Sequence, residues 1–491
     1  MSLAPAAERS VGAPVESGFV PHLIDGAESE AADGAVLDNI NPWTQRRHGT
    51  LARGSAADAA AAVDAARRAF DEGPWPRMSE VERGGVLHRL ADLMERDVDR
   101  LAEADAQDMG RPVSAARTVD VPRAADMFRF FADHLMLSTS ETYPRGGAVH
   151  AFTAYRPAGV VAAITPWNHP LMLGAWKISA PLAWGNTVVM KPAEDSPTSA
   201  YLVARLALEA GMPEGVLNVV QGLGAEVGAA LTGSDRVDRV TFTGSTLAGR
   251  TVGEAAARNL VPATLELGGK GATLVLADAD LEMAAATTAR AVFNNSGQVC
   301  LAGTRVIVHR SVREEFVERL TVLATALRVG DPFAEGTDLG PLASRKQFER
   351  VSSYYNLVES EGGSVVTGGP LDGLAFAPTI ATGLDPGGRV TQEEVFGPMA
   401  TISEFTDLDD GVAAANDTAY GLTGVLFTES LRTAHQVASR MRCGTVWVNC
   451  YQVRDLRAPI GGPGSSGVGR EGGNFSREFF TEPQAVFMST S

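Results

Sequence analysis

Short apolar runs, each ending at a glycine, a proline or a small polar turn, constrain this chain most. Val160–Ile164, Thr187–Met190, Val216–Val220, Val240–Phe242 and Ala263–Leu267 are almost free of charge, and segments of helical period such as Thr198–Ala210 fall between them. A strand covered on both faces reads as a continuous apolar run, so its alternation with helices predicts a parallel sheet under covering helices. A second rhythm follows Cys300: a strand over Thr304–Val308, a helix over Val312–Leu327, and strands near Val365, Ala400 and Val446. The chain therefore reads as α/β, with two lobes meeting near Gly268. Upstream, alanine-rich Ser55–Glu72 keeps apolar positions at helical spacing. Ser79 followed by Glu82 forms a capping box opening a long amphipathic helix toward Asp108.

At ~150 residues per domain, the 491 residues predict about three units. Acidic residues outnumber basic ones 59 to 42, and the net charge of −17 disfavours nucleic acid and anionic membranes as partners. No apolar run reaches the ~18 residues of a membrane span, and Met1–Val20 lacks the basic-then-apolar order of a signal peptide, so it is expected to be a flexible leader. Only three cysteines argue against a disulfide framework, no Cys/His cluster has metal-ligand spacing, and the expected compartment is the cytoplasm.

One of those cysteines, Cys300, closes the segment Asn295-Ser-Gly-Gln-Val-Cys300, downstream of a glutamate held in Leu265-Glu266-Leu-Gly-Gly-Lys270. At its ordinary pKa of ~8.5 a thiol is only a few per cent thiolate at neutral pH, so a catalytic cysteine needs a neighbour such as this carboxylate. Taken alone, the cysteine also fits a small buried residue and the Gly-Gly a turn. The strand Val160–Ile164 runs into Thr165-Pro-Trp-Asn-His-Pro170, where two prolines hold Asn168 in a rigid non-helical loop. A fixed amide donor at a strand end suits an oxyanion. Further on, Met190 leads into Lys191-Pro-Ala-Glu194, Val220 into the Gly222-Leu-Gly224 turn, and Phe242 into Thr243-Gly244-Ser245-Thr-Leu-Ala-Gly249, which opens a helix. Junctions of this kind cradle phosphates on backbone N–H groups. The spacing Gly222-x-Gly224-x-x-x-Gly228 misses the dinucleotide fingerprint by one residue, so spacing alone leaves nucleotide binding open.

Six segments, in their order and spacing, resemble the NAD(P)-dependent aldehyde dehydrogenase superfamily: Thr165–Pro170, Lys191–Glu194, Gly244–Gly249, Glu266–Gly269, Gln298–Cys300 and Glu393-Glu394-Val-Phe396-Gly-Pro398. The resemblance spans residues 20 to 490 and implies the aldehyde dehydrogenase fold. That is a Rossmann-like NAD-binding domain over 1–139 and 158–267, an α/β catalytic domain over 268–468, and a small β oligomerisation arm over 140–157 and 469–491. The implied arm comprises a hairpin near Tyr143–Arg156 and a strand near Gln484–Met488, and the implied assembly is a homodimer or homotetramer. The resemblance also implies the chemistry. The Cys300 thiolate adds to an aldehyde carbon, Asn168 and the Cys300 backbone N–H bind the oxyanion, and hydride leaves the thiohemiacetal for the nicotinamide. Glu266 then deprotonates the water that hydrolyses the thioester. Members that pass the acyl group to coenzyme A lack this carboxylate, so the implied product is a free acid. For the cofactor, Lys191 and Glu194 are implied at the adenosine ribose, Gly244 and Ser245 at the pyrophosphate, and Glu394 with Phe396 at the nicotinamide end. Ile164, Thr165, Pro166, Trp167, Gly224, Phe242 and Leu267 complete the implied cofactor set, with no metal. A carboxylate beside the 2′-hydroxyl repels a 2′-phosphate, which favours NAD.

Arginines carry the reading of the substrate. Val453-Arg454-Asp455-Leu456-Arg457 stands where many relatives place tunnel-lining aromatics, and Asp120-Val-Pro-Arg123 starts the helix expected as the opposite wall. Both resemble the muconic semialdehyde dehydrogenases, in which paired arginines grip a substrate carboxylate; a guanidinium fork suits that bidentate contact. Arg123, Arg454 and Arg457 are thus the expected substrate-binding set, and the competing reading makes Arg454 and Arg457 an exposed cluster around Asp455. A broad-specificity or amino-aldehyde dehydrogenase, and a catalytically silent structural or binding relative, are the alternative functions. His169 reads as a loop-packing residue, and Cys443 and Cys450 as core thiols.

Overall fold

The computed structural model describes residues 18–144 and 149–489, so nearly all of the expected leader and part of the expected hairpin near Tyr143–Arg156 lie outside the described residues. Five parallel strands, Val160–Ile164, Thr187–Lys191, Leu217–Val219, Arg239–Thr243 and Ala263–Glu266, form the centre of an eight-stranded sheet. The first of these five in sequence is Val160–Ile164 in the middle; the chain then builds outward through Thr187–Lys191 and Leu217–Val219 toward the earlier edge strands His22–Ile24 and Ala27–Ser29, and returns to build the other side. Where such an order reverses, the loops leaving neighbouring strands diverge and leave a crevice beyond their carboxyl ends. Here the reversal lies between Val160–Ile164 and Arg239–Thr243, so the Thr165–Pro170 and Gly244–Gly249 segments flank it.

Ser55 and Ser79 each cap a helix through a full capping box, at Ala56–Asp71 and Glu80–Arg96. The single long helix expected toward Asp108 is instead two, Glu80–Arg96 and Val98–Met109. Asp97 breaks it with a non-helical backbone (φ −98°, ψ 24°) while its carboxylate takes the Arg96 guanidinium at 2.7 Å.

The second lobe is a seven-stranded sheet, parallel except for its edge strand Ser364–Pro370. Three of its strands, Ala272–Val275, Phe376–Thr382 and Thr423–Phe427, escape the sequence pattern. Pro378 and Gly424 break two of the runs, and the third starts within a few residues of the preceding strand. A third, small sheet pairs Thr481–Ser489 with Val149–Pro157 and Thr142–Tyr143. Two stretches fall elsewhere than expected. Gly467–Val468 joins the edge of the first sheet, because a Cβ on Gly467 would sit 2.0 Å from the Leu265 carbonyl and only glycine admits that approach. Gly473–Phe480 is a helix packed on Pro170–Ala183, which leaves Thr481–Ser489 as the part of 469–491 in the small sheet.

Candidate active site

Glycines draw the chemistry-bearing residues together. A Cβ on Gly268 would lie 2.3 Å from a Glu394 carboxylate oxygen, on Gly269 2.5 Å from the Cys300 carbonyl, and on Gly461 2.5 Å from Glu266 Oε1. These approaches exist because no side chain stands in the way, and they gather Glu266, Cys300 and Glu394 where the two lobes meet. The Gly269 N–H also donates to Glu394 at 2.8 Å. Phe396 holds a φ of 59°, rare for a bulky residue, and meets Trp167 edge-on with centroids 5.4 Å apart.

Burial first, then the Glu471 charge, raises the Glu266 carboxyl to about 8. One of its oxygens is buried without a hydrogen-bond partner among the described residues. Burial also pushes the recessed Cys300 thiol up to about 12, with the Glu394 and Glu266 charges adding and Arg454 opposing. Glu394 is raised to about 7, again by burial. A thiol held this way is almost wholly protonated at neutral pH, so it becomes a nucleophile only with a base or a positive charge beside it. Behind Glu266, Glu471 accepts from Lys177 Nζ and Trp176 Nε1, each at 2.6 Å, and from Thr264 Oγ1 at 2.9 Å. Lys177 and Glu471 are absent from the sequence reading, yet a lone lysine inside apolar Pro170–Ala183 is a signal that finds one of them.

Asn168 is buried, and its Nδ2 donates to the Gln298 carbonyl at 2.9 Å across 130 residues of chain. Asn295 Nδ2 donates back to the Asn168 carbonyl at 2.7 Å, so the Thr165–Pro170 loop and the Cys300 loop brace each other. An amide nitrogen carries two hydrogens, and the second is left for another acceptor.

Ile164, Phe242, Leu265 and Leu267 form one apolar cluster at the crevice between Val160–Ile164 and Arg239–Thr243. Ser245 caps the helix Thr246–Arg258 by accepting from Ala248 N–H at 3.2 Å, and a Cβ on Gly249 would strike Leu267 at 2.2 Å. Buried Lys191 donates to Glu194 at 2.7 Å. Burial works against ionising Glu194, but the Lys191 charge and the hydrogen bonds from Lys191 and the Gly224 backbone outweigh it and hold the carboxyl below its ordinary value. Thr165 and Pro166 stand with Trp167 in the loop on the same side.

At the other end, Arg454 is half-buried and within electrostatic reach of Cys300, Glu266 and Tyr451. Burial, and also the charge of Arg123, lowers its pKa. Among the described residues neither has an ion-pair partner. Arg457 stands apart: its guanidinium takes Asp455 at 2.6 Å with 74% of the side chain exposed, so a carboxylate two residues away captures it and the expected set of three reduces to two. Tyr451 packs edge-on against Trp447, centroids 5.2 Å apart, and burial raises its hydroxyl.

With this fold and this cluster in view, comparison with known proteins defines the class. The model of the Aldehyde dehydrogenase family matches residues 29–486. A 2-hydroxymuconic semialdehyde dehydrogenase from Pseudomonas sp. (strain CF600) is 42% identical over 476 residues, covering 94% of this chain and 98% of that one. Aldehyde dehydrogenase family 2 member B4, mitochondrial, from Arabidopsis thaliana is 41% identical, covering 98% and 90%. An aldehyde dehydrogenase from Bacillus cereus, solved as its NAD+ complex, superposes with a TM-score of 0.94 at 37% identity, covering 96% of this chain and 97% of that one. The chain belongs to the aldehyde dehydrogenase family.

Proposed function

We propose that this aldehyde dehydrogenase oxidises a carboxylate-bearing semialdehyde, of the muconic semialdehyde kind, to the free acid with NAD as coenzyme. The residues present fit NAD. The Ser245-capped start of Thr246–Arg258 offers backbone N–H groups for the pyrophosphate, and the Lys191–Glu194 pair suits ribose hydroxyls while its carboxylate repels a 2′-phosphate. Glu394, Phe396 and Trp167 stand beside Cys300 for the nicotinamide end, and Ile164, Phe242 and Leu267 support the crevice. Bound there, the cofactor supplies the hydride acceptor.

The chain's own groups do the rest. Once its thiol proton has passed to a base, Cys300 Sγ forms the bond to the aldehyde carbon as the C=O π electrons move to oxygen; the second Asn168 amide hydrogen and the Cys300 backbone N–H receive that oxyanion. Glu266, with a pKa of about 8, takes the proton of the water that releases the acid. The observation that carries the substrate class is Arg454, half-buried on the Cys300 side and sensing the Arg123 charge, with neither guanidinium in an ion pair among the described residues. A carboxylate between them relieves that repulsion, and a cationic amino-aldehyde adds to it.

The same proposal divides the described residues into a cofactor domain over 18–139 and 158–267, to whose sheet Gly467–Val468 adds an edge strand, a catalytic domain over 268–466, and an arm built on Thr142–Tyr143, Val149–Pro157 and Thr481–Ser489. It makes the protein a cytoplasmic homodimer or homotetramer joined through the small sheet. Phe487 and Met488 on the strand Thr481–Ser489 are 63% and 50% exposed, and such apolar surface favours burial against a second copy. The test is at the arginines. Arg454→Ala and Arg123→Ala should each lower kcat/KM for an ω-carboxylated unsaturated aldehyde roughly ten- to a hundred-fold while sparing a neutral aldehyde of equal length. Equal losses on both substrates would mean damage to the loop and no carboxylate site.

A further inference from the structure

Arg111 and Asp120 form an ion pair inside the protein, with guanidinium-to-carboxylate bonds of 2.7 and 3.2 Å and side chains 4% and 3% exposed. Such a pair is a weak source of stability, because desolvating two charges offsets their attraction. Its neighbours on both sides are more telling. Arg111 Nη1 donates to Asn294 Oδ1 at 3.1 Å. His169 Nδ1 lies 3.7 Å from Asp120 Oδ2, an electrostatic contact too long for a hydrogen bond, and His169 Nε2 lies 3.4 Å from Asn295 Nδ2. A neutral imidazole protonated on Nδ1 turns its N–H toward the carboxylate and its lone pair toward the amide, and burial favours that neutral form. Asn295 in turn donates to the Asn168 carbonyl.

One buried pair thus reaches the two asparagines that precede the nucleophile and the histidine beside the oxyanion amide. It also supports strain: Asn295 and Ser296 hold φ of 53° and 52°, a left-handed conformation that persists in adjacent non-glycine residues only where the surroundings impose it. Asp120 closes the π-helical turn Ala116–Asp120, an irregularity that places its carboxylate on this side of the helix start. Nothing in the chemistry described above uses Arg111 or Asp120.

We propose that the Arg111–Asp120 pair is a positioning element that, through His169, Asn294 and Asn295, sets the Asn168 amide relative to Cys300. It rests on the reading of Asn168 as the oxyanion donor. Asp120→Asn keeps the shape and removes the charge; His169→Phe keeps the loop filled and the ion pair intact, and carries the test alone should Asp120→Asn fail to fold by circular dichroism. The readout is the single-turnover rate of NADH formation at saturating aldehyde and NAD, in the wild-type and the Asn168→Ala backgrounds, with NAD affinity followed by tryptophan fluorescence. In the wild-type background each variant should slow the first turnover roughly ten- to a hundred-fold, with NAD affinity changed by less than about twofold. In the Asn168→Ala background the further loss should shrink to less than about threefold, because the group being positioned is gone. Losses that multiply in full, or a first turnover left at the wild-type rate, would overturn the proposal. If Asn168→Ala itself leaves the first turnover unchanged, the oxyanion reading has failed and the positioning role falls with it.

Discussion

The inner and outer ends of the active site carry opposite electrostatics. At the inner end Glu266, Glu394 and Cys300 are crowded together and mostly buried, and burial favours the protonated form of each, at about 8, 7 and 12. At the outer end Arg454 senses the positive charge of Arg123, and neither arginine is in an ion pair among the described residues. In the proposed function the inner end serves chemistry common to any aldehyde, since it acts on the carbonyl alone. In the proposed function the outer end distinguishes between aldehydes, since its charge meets only what the far end of the substrate carries.

That contrast breaks most sharply at the nucleophile. Cys300→Ala should lower turnover by at least ~10³-fold for charged and neutral aldehydes alike, while NAD affinity measured by fluorescence titration stays unchanged. Glu266→Gln comes next, lowering steady-state turnover about a hundredfold but the first turnover far less, so that stopped flow shows a burst of NADH. The base form of Glu266 is lost as pH falls through about 8, so wild-type deacylation should decline toward acid with a one-proton slope that the glutamine variant lacks. A first turnover slowed as much as later ones would place Glu266 at the thiol itself. The Arg454 effect, ten- to a hundred-fold and confined to carboxylated substrates, follows in size. Smallest is Glu194→Ser, which removes a partly exposed charge. It should raise the ratio of kcat/KM with NADP to that with NAD about three- to tenfold, and an unchanged ratio would move coenzyme choice to other residues.

The two ends also differ in how they can be read from the chain. Inner-end residues sit in short motifs at strand ends, where the backbone itself aims them: Asn168 between prolines, Glu266 before two glycines, Ser245 at a helix start. Local signals of this kind survive in one dimension. The Arg111–Asn294 and Asn168–Gln298 contacts join residues 183 and 130 apart, and no local pattern announces them. At the outer end, Arg454 and Arg457 look alike in sequence and only packing separates them, one recessed toward Cys300 and the other caught by Asp455 in solvent. Strands interrupted by Pro378 or Gly424 were illegible for a related reason, because neighbouring strands tolerate there what an isolated run does not.

The most direct test of this division is a set of four kcat/KM values: wild type and Arg454→Ala, each with an ω-carboxylated unsaturated aldehyde and its neutral amide of equal length. Wild type should prefer the carboxylate at least tenfold, and Arg454→Ala should erase the preference by losing the charged substrate alone. Equal kcat/KM on both substrates in wild type, or a uniform loss in the variant, would contradict that division.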